Sequence, residues 1–277
     1  MVEPTPPKEE DVYNLQVGLG DTTLTHEAKH FFDVTGYRVL RDLLTDAQRR
    51  EAVEQITMCA QAPPPSIRTR SCAGTRELSN IIELGGAVEH AMALDSVIDH
   101  LAAFVWGHQF RLVGSKAILV DAETRPKLSP GPADTHRRYA AYRCAGDGQF
   151  RCLMITFLIP TSEATLLVIP SSHKANLPLP CDGADLTAIP ALEEIPVPQG
   201  SALLCSESLA RAIKPPASGT AVWLAYQYGT SYMVNWPGCD PSPELLARTS
   251  SDPAKAHLLL EPYYHPPGSY RRQDDGS

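Results

Sequence analysis

No Cys-x-x-Cys pair occurs in this sequence, although it contains seven cysteines. An odd cysteine count without paired spacing argues against a disulfide framework and a zinc ribbon, and for reduced thiols in a cytoplasmic protein. No apolar run is long enough to cross a bilayer, so no membrane span is expected. The opening "MVEPTPPKEEDVYN" is acidic and proline-rich, which predicts no secretory leader. Charged residues make up only 20% of the chain and its formal net charge is −8. That balance argues against nucleic acid and anionic membrane as main partners and says little about a pocket. Oligomeric state is open, a homodimer being one option. No internal repeat and no linker divides the chain.

What is present is enough apolar material for a sizeable core, 43% over 277 residues. Residues 1–22 hold three prolines without helical or strand periodicity and read as a mobile arm. Residues 23–266 read as a single domain, and residues 267–277 as a polar tail. A short helix is expected to end near Phe32, followed by a strand in "GYRVLRDLL". Thr45 with Gln48 three residues on forms a capping box, opening a helix to about Ala60. "QAPPPSIRTRSCAGTRELSN" reads as a long polar loop. In "LDSVIDHLAAFVWG", Val97, Leu101, Phe104 and Val105 share one stripe and Gly107 stops the helix.

From residue 109 the pattern changes. "FRLVGSKAILVD", "QFRCLMITFLIP", "ATLLVIP", "GSALLCSESLAR" and "TAVWLAYQYGT" are short apolar runs bounded by Gly, Pro, Ser and Asp, and each reads as a strand. Helices early and strands late predict an α+β fold, with helices on one face of a sandwich or barrel. "NLPLPCDGADLTAIPALEEIPVPQG" reads as an insertion at the rim of a pocket.

These segments, in this order, resemble the phytanoyl-CoA dioxygenase family of iron(II)- and 2-oxoglutarate-dependent oxygenases, from about Phe31 to His265. "FFDVTGYRVLRDLLTDAQ" is similar to the family's opening. "LLVIPSSHKAN" is similar to its turn, with Ser171 in place of the usual glycine. "QGSALLCSESLARA" resembles the segment that delivers a second iron-binding histidine. "YQYGTSYMVNWPG" and "LLLEPYYHPP" resemble its closing segments. The resemblance implies a double-stranded β-helix, a jelly-roll barrel of two sheets with an open mouth. It also implies two histidines and one carboxylate on one face of an iron ion.

This chain departs from that pattern. His136 stands at the first ligand position, but the carboxylate position holds Arg138 and the second histidine position holds Arg211. No histidine lies between His173 and His257. The arginine that clamps 2-oxoglutarate in the family falls at Ala221 and Val222. A carboxylate about 4 Å from a cation contributes about 4 kcal/mol at an effective dielectric of 20, and arginine reverses that sign without being able to deprotonate.

The expectation is therefore a divergent member without the metal triad, working without metal or 2-oxoglutarate. It would carry out isomerisation, cyclisation, dehydration or a pericyclic step on a small secondary-metabolite intermediate. His136 is the candidate proton shuttle. Arg138 and Arg211 are the candidate oxyanion or carboxylate binders, unless Glu207, four residues before Arg211, takes the latter as a salt partner. Met154, Thr156, Tyr142, Glu207 and Trp223 are candidate substrate-lining residues, with plain core packing the alternative for Met154 and Trp223. His173 is expected to be structural, and Cys144, Cys152 and Cys205 lack a basic partner to make them nucleophilic. Two other readings stay open: a true iron(II)/2-oxoglutarate oxygenase with atypical ligands, and a non-catalytic binding protein.

Overall fold

The computed structural model describes residues 24–72, 74–105, 109–128, 142, 152–174, 186 and 189–263. The chain enters through helix α1 (His26–Thr35), whose Thr25 side chain accepts from the Ala28 N–H. Gly36, in the left-handed region at φ 82°, closes the helix, its N–H returning to Phe32 O. The helix thus runs three residues beyond the Phe32 expected from sequence. Strand β1 covers only Tyr37–Leu40 of "GYRVLRDLL". The predicted capping box at Thr45 and Gln48 is formed in both directions and opens α2 (Asp46–Gln61).

The polar stretch after α2 is not a loop. It folds into a hairpin of β2 (Arg68–Cys72) and β3 (Thr75–Ser79) at the edge of a sheet. An edge strand with two wetted sides need not be apolar, so its period-2 signal is weak in sequence. Helices α3 (Gly86–His90) and α4 (Asp95–Phe104) follow. Val105 lies outside α4, in an isolated bridge to Cys152.

The remaining strands are β4 (Phe110–Asp121), β5 (Met154–Pro160), β6 (Ala164–Val168), β7 (Glu193–Val197), β8 (Ala202–Ser206), β9 (Arg211–Ile213) and β10 (Thr220–Thr230). "GSALLCSESLAR" is therefore two strands, not one: β8 joins a seven-stranded sheet ordered β1-β8-β5-β10-β4-β3-β2, and β9 joins a three-stranded sheet ordered β7-β6-β9. Strand β7 lies inside the segment read as a rim insertion. Two short helices, α5 (Pro243–Thr249) and α6 (Pro253–Leu258), complete the described chain.

The large sheet has two unlike faces. Towards the helices, Leu224, Tyr226 and Tyr228 of β10 and Ile155, Phe157 and Ile159 of β5 pack with Phe32, Ile56, Val88, Leu101 and Phe104. Towards the small sheet, Leu158, Leu203, Ala221, Trp223 and Ala225 pack against Leu166 and Val168 of β6. The strict alternation along β10 and β5 gives one apolar layer on each side of the sheet. The second layer fills one end of the space between the sheets. The expected mixed fold, helices laid on one sheet of a double-stranded β-helix, is the one observed.

Candidate functional site

Strand parity places the site. On β10, Gln227 falls on the same side as Trp223 and Ala225, and so faces the space between the sheets. Its pairing partners Thr156 on β5 and Gly114 on β4 share that side, and Thr156 in turn pairs with Cys205 on β8. From the opposite sheet, Arg211 pairs with Val168, whose side chain is also inward. Glu207 follows β8, its N–H bonded to Met154 O at 3.1 Å.

These parts converge on the Glu207 carboxylate. Arg211 Nη2 donates to Glu207 Oε2 at 2.8 Å, and the Thr156 hydroxyl donates to the same oxygen. Gln227 Nε2 reaches Glu207 Oε1 only at 3.4 Å. Arg211 Nη1 donates to the carbonyls of Glu207 and Leu209, each at 3.1 Å, so the guanidinium also ties together the turn that carries the chain from one sheet to the other. Burial alone would raise the Glu207 pKa, but the Arg211 charge, the Thr156 hydroxyl and Lys116 outweigh it and hold the carboxyl below its ordinary range. Burial likewise acts to lower the Arg211 pKa, and its anionic surroundings reverse that. Both groups are charged. Lys116, one inward step along β4 from Gly114, pairs with Glu77 Oε2 at 3.5 Å.

The sequence-predicted residues divide into those gathered here and those elsewhere. Arg211, Glu207 and Thr156 form one cluster, with Arg211 pointing inward and engaged by Glu207. Met154 lies on the inward side of β5, 1% exposed. Trp223 is fully buried in the apolar end of the barrel, where it packs as core. Tyr142 lies away from the cluster: its hydroxyl donates to Asp33 Oδ1 at 2.7 Å and its ring meets His173 edge-on at 4.4 Å. His136, Arg138 and Cys144 lie outside the described residues.

His173 sits against Gly36 so closely that a Cβ on that glycine would fall 2.3 Å from its Nδ1, and burial pushes the ring's pKa down to about 4. It is a neutral packing residue beside the Ser171 turn. Ser171 takes the left-handed φ of 64° that glycine usually supplies, and its hydroxyl donates to Val34 O at 2.6 Å. Burial pushes the Cys152 thiol up to about 12 and Cys205 up to about 11, so neither is a thiolate at neutral pH. Gln227 and Lys116 were not singled out in the sequence. Gln227 is the lone strongly polar side chain of β10, and that isolation was the available signal, whereas Lys116 shares β4 with Arg111 and Asp121.

Among the described residues, no three His, Cys, Asp or Glu side chains come together to hold a metal ion. The inward carboxylate, Glu207, is already shared by Arg211 and Thr156. At the far end, Ala221 lies in apolar packing and Val222 packs on the helix side, so neither offers a cation to a dicarboxylate. The described residues do not assemble an iron and 2-oxoglutarate centre.

No family model and no curated protein matches the chain by sequence. Solved structures do match by shape. HygX from Streptomyces hygroscopicus, with nickel and 2-oxoglutarate bound, superposes with a TM-score of 0.66 at 19% identity, over 77% of this chain and 90% of HygX. The non-heme alpha-ketoglutarate-dependent carbocyclase SnoK from nogalamycin biosynthesis gives 0.52 at 12% identity, over 76% and 85%. The epimerase SnoN of the same biosynthesis gives 0.52 at 14% identity, over 86% and 92%. These neighbours correct the expectation of no cofactor. HygX has been solved with nickel and 2-oxoglutarate and with iron, and SnoN with Fe3+ and alpha-ketoglutarate. A cofactor-free protein was inferred from three sequence positions, whereas the fold is one that holds these groups. The chain has the double-stranded β-helix fold on which these metal- and 2-oxoglutarate-binding enzymes are built.

Proposed function

We propose that this protein is an enzyme that isomerises or cyclises a small oxygenated metabolite held between the two sheets. The observation that carries the reading is the inward cluster of Thr156, Glu207, Arg211 and Gln227, placed beyond the apolar packing around Trp223. A few convergent polar groups beside an apolar wall are what a small-molecule site requires. The reading is supported by the carbocyclase and epimerase chemistry named for SnoK and SnoN, and by HygX, solved with hygromycin B bound.

In this proposal Glu207 is an anchoring acceptor rather than a base, because Arg211 keeps its carboxylate ionised and weakly basic. Arg211 holds Glu207 and neutralises it, so it positions the site more than it captures a free anion. Proton transfer is assigned to His136 and charge stabilisation to Arg138, on sequence grounds. Met154 borders the substrate, whereas Tyr142, held by Asp33 and His173, does not.

The test is turnover of secondary-metabolite intermediates, with iron(II) and 2-oxoglutarate supplied. The proposal expects an isomeric or cyclised product of unchanged elemental composition. It also expects turnover to be lost in Glu207→Gln and His136→Ala. Undiminished turnover in either variant overturns the assigned roles. A product that gains oxygen with matched 2-oxoglutarate consumption replaces this reading with that of a hydroxylating oxygenase, which the 2-oxoglutarate in HygX favours.

A further inference from the structure

We infer that the inner face of the β2–β3 edge is a docking subsite for a dianionic group, and that the substrate carries this group as a phosphate monoester. The inference rests on the small-molecule reading above and names its substrate class.

Register places the charges. Gly114 pairs with the inward Gln227, so Lys116, two residues on, lies on the inner side of β4. Lys116 pairs with Ser79 of β3, and Ser79 with Arg68 of β2. One inward step along, Ile118 pairs with Glu77, and Glu77 with Arg70. Ile118 packs on the inner apolar layer, which confirms the side. Neighbouring strands lie about 5 Å apart and inward residues of one strand about 7 Å apart, so the long side chains of Arg68, Arg70 and Lys116 can meet on one small anion.

Compensation is incomplete at this edge. Glu77 is the inward carboxylate of these three strands, and Lys116 engages it at 3.5 Å. Arg68 and Arg70 are exposed, and neither guanidinium has an ion pair or hydrogen bond among the described residues. Three cations against one carboxylate leave two positive charges uncompensated, in a chain whose formal net charge is −8. The other inward cations are already engaged. Arg111 is 1% exposed, donates to Leu260 O, Met233 O and Asn235 Oδ1, and has Asp240 and Glu261 nearby. Arg211 is held by Glu207. Arg68 is also steadied from one side: Gly238, at φ 80°, lies so close that a Cβ there would collide with its Nε.

Charge chooses the ligand. A guanidinium fork matches the oxygens of a phosphate or a carboxylate. A phosphate monoester carries about two negative charges near neutral pH, which equals the surplus, whereas a single carboxylate cancels half of it. The edge is continuous with the inner cluster, because the Lys116 charge also acts on Glu207. An ester anchored at the edge therefore presents the rest of its molecule to Glu207, Thr156 and Gln227.

The experiment is isothermal titration of the full chain with phenyl phosphate and glycerol phosphate, against inorganic phosphate, benzoate and glycerol. Saturable binding of at least one ester is expected, tighter than that of inorganic phosphate or benzoate and weakening as salt is added. Arg68→Gln with Arg70→Gln should weaken ester binding by about tenfold or more, with the melting temperature unchanged or raised because like charges are removed. Arg70→Gln alone, at an exposed position, should account for a several-fold part of that loss and keeps the test readable if the pair disturbs the edge. Absence of ester binding overturns the inference, as does ester affinity that ignores both substitutions. Inorganic phosphate bound as tightly as either ester would mean an adventitious ion only, and benzoate or glycerol bound as tightly would remove the case for a dianion; each overturns it. Failure here is separable from failure of the proposed function. Isomerising turnover of an uncharged substrate would sink this inference and leave that reading standing, whereas esters that bind at Arg68 and Arg70 without being isomerised or cyclised would do the reverse.

Discussion

Strand β10 presents two faces whose polar groups are treated in opposite ways. Towards the helices, the Tyr226 hydroxyl donates to Val88 O at 2.7 Å and the Tyr228 hydroxyl to Met92 O at 2.6 Å. Both are fully buried, and burial drives both phenols to higher pKa. Each has a short backbone partner, so each fixes a helix to the sheet. Towards the small sheet, Gln227 makes a 3.4 Å contact with a carboxylate whose other oxygen is taken. A satisfied buried hydroxyl is structure, whereas a weakly satisfied amide beside an ion pair retains capacity for a ligand.

The largest effect should come from breaking the helix-facing side. Phe104 stacks on Phe32 with centroids 4.1 Å apart, and both are fully buried. Phe104→Ala should cost about 3–5 kcal/mol, read as a fall in the urea midpoint, and activity should vanish with the fold. A loss under about 1 kcal/mol would mean that the helical layer is not what holds the sheet.

On the inner face the expected cost depends on pairing. Glu207 and Arg211 side chains are 17% and 11% exposed, so Glu207→Ala leaves a mostly buried guanidinium uncompensated, at about 3 kcal/mol. The double variant Glu207→Ala with Arg211→Met should recover most of that stability while remaining inactive. A double-mutant cycle in denaturant measures it, and additive losses would show that the pair is not coupled.

A smaller effect lies in two buried histidines. His173 and His100 both have folded pKa values near 4, lowered chiefly by burial. For a base whose folded pKa is depressed, the unfolded chain binds more protons between 4 and the ordinary 6.5. Stability is therefore fully present above 6.5 and falls as pH drops towards 4. Each ring should remove about 2 kcal/mol by pH 5. Denaturation midpoints at pH 7.5 and pH 5 check the sum, and His173→Gln should flatten the difference by about half.

How much of this was legible follows from which interactions are local. The Thr45–Gln48 capping box and the Glu207–Arg211 pair are separated by three and four residues, and both were visible as spacing. The β2–β3 hairpin was invisible because, apart from Cys72 and the core residue Leu78, its side chains are polar, and the edge position that permits this is a tertiary fact. The division of "GSALLCSESLAR" was hidden for a similar reason. The Glu207-Ser208 break is one of two polar residues, and only the partners of β8 and β9 show that the chain changes sheets there. Trp223 and Gln227 are four residues apart on one face, yet one is core and the other faces the site. What separates them is the reach of β6, whose Leu166 and Val168 cover the first. The cofactor expectation failed where local substitution was allowed to decide a property of the fold.

The smallest expected effect is the sharpest form of the comparison. Tyr228→Phe removes a donor at 2.6 Å from a buried carbonyl and leaves Met92 O without it, so about 1 kcal/mol of stability should go, near 2–4 °C in melting temperature. Gln227→Leu, one residue away, removes only the 3.4 Å contact and keeps the volume of the side chain. Its stability should stay within about 0.5 kcal/mol of wild type. Its effect should appear instead in KM, because the amide is placed to meet a ligand rather than the protein. If Gln227→Leu destabilises the chain as much as Tyr228→Phe while KM is unmoved, then both faces of β10 are purely structural, and the site must be sought elsewhere in the barrel.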